Sequence, residues 1–426
     1  MKERLAIIGT GIAGMGAAYH LYKKYDLTIY EKNNYVGGHT NTITINENGN
    51  DVPIDTGFMV FNKVTYPNLT RLFEELDVTI KPTDMSFSVQ HVPSGLEFNG
   101  SGLKGLFSQR KNIFRPSFIK MLIQINRFNN ECLEVLDNTQ YNEHTLLDYV
   151  QEKGYGSDFL EKYLVPMSSA VWSTPPDQML RFPAATLIRF FHNHGFLGLD
   201  TQHQWFTVDG GSRMYRDKII SKYKDQITTS NGAVSVKREY GKVIVSSEDG
   251  ETKEFDKIIF ASHADETLNL LSDPTETEIK LLSQFKYQHN EATLHTDISV
   301  MPKLRRVWSS WNYRIVDVDG DLKTSTVYYM NSLQGVSDNV DYFVSIDDPG
   351  KIDKTKILRT INYSHPLFSL EAIKAQESLY MLNDQNNNSY FCGSYFKYGF
   401  HEDAYTSALN LSKTLLKEKE NELVSV

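Results

Sequence analysis

The sequence is poor in cysteine: across 426 residues only Cys132 and Cys392 occur, far apart. Two such residues build no disulfide framework, no CxxC redox pair and no metal cluster, so no metal site is expected. A reducing, cytoplasmic setting fits that usage. Long apolar runs are also missing, so no segment is expected to cross a membrane. The apolar N-terminal run is interrupted by glycines, and a signal peptide is not expected. Positive charge is in deficit, 44 Lys and Arg against 53 Asp and Glu. A net charge of −9 provides no overall field to recruit phosphate and argues against nucleic acid as a partner.

What remains is an ordinary globular composition, 40% apolar and 23% charged, in a chain longer than one core usually supports. Two intimately joined domains are expected. The first 31 residues carry the clearest pattern. Arg4 to Ile8 reads as a buried strand, Gly9-Thr10-Gly11-Ile12-Ala13-Gly14 as a glycine turn opening a helix, and Leu27 to Tyr30 as a second strand ending in Glu31. That is the order of a dinucleotide site. Gly9 permits the tight turn, Gly11 the approach of a pyrophosphate, and Gly14 close packing of helix on strand. The helix N-terminus then presents free N–H groups to phosphate, and Glu31 stands where a carboxylate meets a ribose diol.

Downstream come Glu31-Lys32, the diglycine Gly37-Gly38 followed by His39 and Thr40, and Asp55-Thr56-Gly57 leading into Phe58, Met59 and Val60. Phe255 to Ala264 reads as a buried strand, and the chain closes with Tyr390 to Ser394, Gly399 to Ala404 and a helix from Tyr405. In this order the motifs resemble the superfamily of FAD-dependent amine oxidases, protoporphyrinogen oxidases and phytoene desaturases. The resemblance implies an α/β, GxGxxG Rossmann-type FAD-binding domain, discontinuous in sequence. An α+β substrate domain of mixed sheet and helical cap is inserted into it. The implied division is 1–80, 206–285 and 386–426 for the FAD-binding domain, and 81–205 with 286–385 for the substrate domain.

By the same resemblance FAD would be held by Gly9, Gly11, Ile12, Ala13, Gly14, Glu31, Lys32, Gly38, His39, Thr40 and Gly57 to Val60. Val234 would meet adenine, and Ala261, Gly393, Ser394, His401, Glu402, Asp403 and Ala404 would complete the site. His39 takes the place where the family usually has Arg, replacing a fixed cation by a titratable one. Ser394 replaces the commoner Asp.

The strings VDGGSR, FASHAD, SSWNY, VYYMNSLQ and YGFHEDA narrow the likeness. They resemble flavoproteins associated with, or fused to, cyclopropane-fatty-acid synthases, which implies fatty acyl modification and a methyltransferase as functional partner. No second GxGxxG frame exists for a nicotinamide domain, so electrons would enter the flavin from an organic substrate. His401, Glu402 and Tyr398, with Lys397 nearby, are the polar groups expected beside it. Trp172, Trp205, Trp311, Tyr313, Tyr328 and Met330 are the expected cavity walls. The expected activity is desaturation or oxidation of a hydrophobic substrate such as a methyl-branched or cyclopropane acyl chain. Oxidation of a small soluble amine, or FAD-dependent isomerisation without net redox change, remain alternatives.

One stretch stands apart. Ser101 to Asn130 holds Lys104, Arg110, Lys111, Arg115, Lys120 and Arg127 and no acidic residue, interleaved with Leu, Ile, Phe and Met. It reads either as an interfacial element touching the inner face of a membrane or as a cap helix with a solvated basic face.

Overall fold

The structure, a computed structural model, describes residues 2–198, 201–384 and 387–424. At its centre lies a five-stranded parallel sheet built from three separate parts of the chain. β1 (Arg4–Ile8), β2 (Asp26–Tyr30), β3 (Ile227–Thr228), β4 (Lys257–Phe260) and β5 (Ser389–Phe391) run in the order β3-β2-β1-β4-β5. In β1 every residue from Leu5 to Ile8 is buried, as a central parallel strand covered on both faces requires. The helix α1 (Ile12–Leu21) follows β1, and the long C-terminal helix α2 (His401–Val424) packs along it. Their approach depends on a small residue: a Cβ at Gly16 would lie 2.8 Å from the Tyr405 ring.

A seven-stranded mixed sheet forms the second body. Its order is Ile357–Leu367, Lys286–His295, Phe343–Ile346, Asp321–Tyr329, Trp311–Val318, Phe87–His91 and Leu96–Asn99. Only Phe87–His91 against Trp311–Val318 is parallel. Helices Leu146–Glu152, Val165–Trp172 and Ala184–Asn193 form the cap. Ala233–Glu239 and Lys242–Ser247 form a hairpin about Tyr240-Gly241, and both turn residues have positive φ (51° and 73°), the geometry a tight two-residue turn demands.

Several boundaries differ from the sequence reading. The divisions at 80/81 and 205/206 fall inside Ile80–Thr83 and Trp205–Val208, which pair with each other in a three-stranded sheet bridging the two bodies. The division at 385/386 lies outside the described residues. Trp311–Val318 begins only after Arg305–Val307 has closed as a 3₁₀ turn. The last helix starts at His401 rather than Tyr405. Among the described residues no helix is long and apolar enough to cross a membrane, and no cluster of His, Cys, Asp and Glu could hold a metal.

Candidate active site

The C-terminal edge of the parallel sheet is where the site is built. Gly9 leaves β1 with φ +95°, donating its amide to Tyr30 O at 2.8 Å, and Gly11 caps α1 without any side-chain bond. The first-turn amides of α1 therefore have no carbonyl partner within the helix and face an anion-binding position. A Cβ at Gly11 would meet nothing within 4 Å, whereas one at Gly14 would fall 2.0 Å from Gly9 O. Gly11 thus keeps space open, while Gly14 lets the helix seat on its own turn. β4 and β5 end at the same edge, where Ala261 N donates to Ile8 O and Cys392 N to Phe260 O. That brings Ala261, Gly393 and Ser394 beside the glycine turn.

Glu31, buried at the end of β2, accepts from Thr10 N (3.0 Å), Thr10 Oγ1 (2.5 Å), Asn33 N (2.8 Å) and Asn33 Nδ2 (2.9 Å). The carboxylate is thereby held rigidly at the mouth of a cavity of about 710 Å³, which runs from Glu31 and Lys32 past the glycine turn to the first turn of α2. Of the expected cofactor residues, Gly9, Gly11, Ile12, Ala13, Glu31, Lys32, Gly38, His39, Gly57 to Val60, Ala261, Gly393, Ser394, His401 and Ala404 line it.

Five do not. Gly14 sits behind the turn. Val234 points to solvent, and Gly232 and Ala233 take its place because a bulge follows Ala233. Thr40 lies behind His401, bonded to it. Glu402 accepts from Asn68 N (3.0 Å) and Leu69 N (2.9 Å), capping the helix Pro67–Glu75. Asp403 accepts from Tyr398 N (3.2 Å) and Phe400 N (3.0 Å), and its own burial pushes its carboxyl up to about 6. Glu402, Asp403, Tyr398 and Lys397 line a separate cavity of about 860 Å³, divided from the first by Tyr66 and Phe400. Glu402 and Tyr398, expected beside the flavin, thus line the second cavity and not the first: α2 starts at His401, which puts Glu402 and Asp403 in its first turn, where they accept from backbone amides.

Four histidines converge on the main cavity. His39 stacks on Tyr363 (4.6 Å between centroids) and meets His365 edge-on at 4.9 Å, while His263 stacks on Tyr287 at 4.2 Å. His401 lies flat on Phe58 at 4.0 Å, and its Nε2 forms a closed triangle with Thr40 Oγ1 (3.0 Å) and Tyr215 OH (2.9 Å). Burial drives His401 down to about 3 and His365 to about 4, and it lowers His39 and His263 as well. All four are neutral at pH 7. His39 therefore does not supply the positive charge of the arginine it replaces, and beside the paired Lys32 the positive potential at the cavity comes from the helix ends. Sequence reading missed Tyr363 and His365. Their signal was alternation on one strand, which does not reveal what that strand will face.

The remaining wall is aromatic. Trp172, Phe190 and Phe400 pack within 4.6–5.8 Å of one another, Tyr66, Phe196 and Trp205 extend them, and Trp311 crosses Tyr328 edge-on at 5.7 Å. Trp172, Trp205, Trp311 and Tyr328 line the cavity as expected, whereas Tyr313 and Met330 are buried in neighbouring core. Among the described lining residues the ionised side chains are Glu31, Lys32 and Glu266, and the Lys32–Glu266 ion pair gathers them at the β2 end. The aromatic half carries no charge.

These features define a dinucleotide-binding site continuous with an aromatic-lined space. Comparison with known proteins makes the class specific. The sequence profile of the flavin containing amine oxidoreductase family matches residues 12–292, and the chain belongs to that family. It is an FAD-dependent oxidoreductase. No curated protein matches it by sequence. Among solved structures it is similar to a CLA-producing fatty acid isomerase from P. acnes (15% identity, 97% of this chain and 98% of that one, TM-score 0.67). It is likewise similar to putrescine oxidase bound to putrescine (11%, 98% and 99%, 0.68) and to cyclohexylamine oxidase from Brevibacterium oxydans (14%, 97% and 100%, 0.67). At these identities the likeness is one of fold.

The residues present fit FAD. Gly11 leaves a cradle open at an uncapped helix N-terminus, Glu31 waits at the β2 end, and His39 Nε2 is buried without a hydrogen-bond partner in the lining.

Proposed function

We propose that this enzyme removes a hydride equivalent from a neutral, hydrophobic substrate, namely a fatty acyl chain, methyl-branched or cyclopropane-bearing, carried on a phospholipid. The observation that carries the reading is the uncharged aromatic half of the cavity. An ammonium substrate would gain from a carboxylate there, and Glu402 and Asp403, the acids of the first turn of α2, face the second cavity instead, where they accept from backbone amides. An acyl chain needs only apolar contact and exclusion of water.

FAD, when bound, supplies the hydride acceptor. Around it the chain's own groups orient and dry the site. The amides of α1 and Glu31 would hold the dinucleotide portion, and Phe58 and His401 would set the floor near the first turn of α2. Trp172, Phe190, Trp205 and Phe400 would hold the acyl chain and shut out water. His401 Nε2 is committed to the hydroxyls of Thr40 and Tyr215, so His401 positions rather than accepts a proton at that atom.

A second reading, double-bond isomerisation without net redox change, draws support from the shared fold with the fatty acid isomerase. One experiment separates them. Anaerobic addition of phospholipids bearing branched or cyclopropane chains should bleach the flavin spectrum, with a panel of amines inert. Conversion of the lipid without lasting bleaching would favour isomerisation, and bleaching by an amine would overturn the acyl reading.

A further inference from the structure

We infer that the surface formed by residues 103–127 docks this protein onto an anionic lipid bilayer. Here the chain wraps the edge strand Leu96–Asn99 of the mixed sheet as a short helix (Gly102–Leu106), a 3₁₀ turn (Arg110–Phe114) and a longer helix (Pro116–Glu131). Each turns large apolar side chains outward: Leu103 is 70% exposed, Ile113 52%, Phe114 85% and Ile123 64%. A folded protein gains nothing from exposing four such groups within residues 103–123, and exposed apolar side chains concentrated in this way mark an interaction surface.

Cations accompany them. Lys104, Arg110 and Lys111 are exposed beside the apolar groups of the first two elements. On the longer helix Lys120, Ile123 and Arg127 recur at helical spacing on the face opposite buried Phe118, Met121 and Phe128. Arg127 is paired with Glu131, and Arg115 donates to Ser94 O. Lys104, Arg110, Lys111 and Lys120 enter no ion pair among the described residues. On a chain of net charge −9, a stretch without one acidic residue is a local reversal of sign. Charge complementarity selects an anionic surface, and the interleaved Leu, Ile and Phe select one that accepts apolar side chains at shallow depth. A bilayer with anionic headgroups meets both demands. The surface is apart from the cavity lining, so this inference stands whichever substrate the enzyme takes.

The test is co-sedimentation of the FAD-loaded protein with phosphatidylcholine vesicles, with or without phosphatidylglycerol, at low and high salt. The variants are Phe114→Ser and the pair Lys104→Glu with Lys111→Glu. All three positions are exposed, so flavin content and melting temperature should be unchanged. Binding to the anionic vesicles is expected to exceed binding to pure phosphatidylcholine by roughly tenfold or more, and salt should weaken it. At about fivefold per cation, the double reversal should cost roughly 25-fold or more, and Phe114→Ser several-fold. Absence of vesicle binding, equal binding by the charge variant, or equal binding by Phe114→Ser would each overturn the inference. So would self-association in sedimentation velocity that Phe114→Ser abolishes, which would assign the face to a second copy.

Discussion

Asp55 and Ser212, 157 positions apart, are joined by three contacts. The Ser212 amide donates to both Asp55 carboxylate oxygens at 2.9 Å, and Ser212 Oγ donates to Oδ1 at 2.8 Å. Thr42 and Gln334 complete the cage around this buried carboxylate, whose pKa burial raises. Two sequence motifs, Asp55-Thr56-Gly57 and the Gly210-Gly211-Ser212 turn, are thus halves of one clasp. It anchors the segment that continues into Gly57 to Val60 on the cavity wall.

Asp55→Ala should therefore destabilise the protein by roughly 3 kcal/mol, since it strands several buried donors at once. Asp55→Asn should cost a similar amount, because its NH₂ must face Ser212 or Gln334, both donors. Denaturant unfolding of the two variants, with flavin content recorded in parallel, checks this. Wild-type stability in both would deny the clasp its role.

The glycines of the first turn should separate by function. Gly14→Ala drives a Cβ to 2.0 Å from Gly9 O and should destabilise the fold by about 3 kcal/mol. Gly11→Ala meets no protein atom, so the apoprotein should melt like wild type. Its Cβ enters the cavity, and FAD affinity should fall roughly tenfold or more. Titration of apoprotein with FAD, beside thermal melting, distinguishes the two.

Acid should weaken the protein through its buried histidines. Folded His365 titrates near 4, and burial is the main cause. Its ordinary value is near 6.5, so the folded state binds the proton less readily than the unfolded one. Stability is complete above about pH 6.5 and declines as pH falls toward 4, by up to about 3 kcal/mol for this group. His365→Asn should show a shallower loss of Tm across that window. Parallel Tm–pH curves would contradict the assignment.

His401 gives a kinetic counterpart. With its imidazole held near 3, it has no ionisation between pH 5 and 9. The pH profile of flavin reduction by substrate should keep its shape in His401→Gln while the rate falls, through loss of the Phe58 stack and the Thr40–Tyr215 triangle. A limb near neutral pH that vanishes in the variant would make His401 a proton acceptor after all.

The sequence by itself determined the nucleotide turn, the family and the cofactor. A strand, glycine turn, helix and acidic residue form one local unit whose geometry needs no distant partner. The same local logic made the family's strand and helix near the C-terminus recognisable. Tertiary structure alone decided the rest. Parallel strands must be joined by long crossovers, so the ends of β1, β2, β4 and β5 meet at one edge although more than a hundred residues separate β2 from β4 and β4 from β5. That convergence gathers His39, His263, His365 and His401 around one cavity and strips them of charge by burial. It also turns Glu402 and Asp403 inward onto backbone amides, leaving the aromatic half of the site neutral. Whether an ionisable side chain serves chemistry or architecture depends on which amides the fold has left without partners, and that is settled only when distant segments pack.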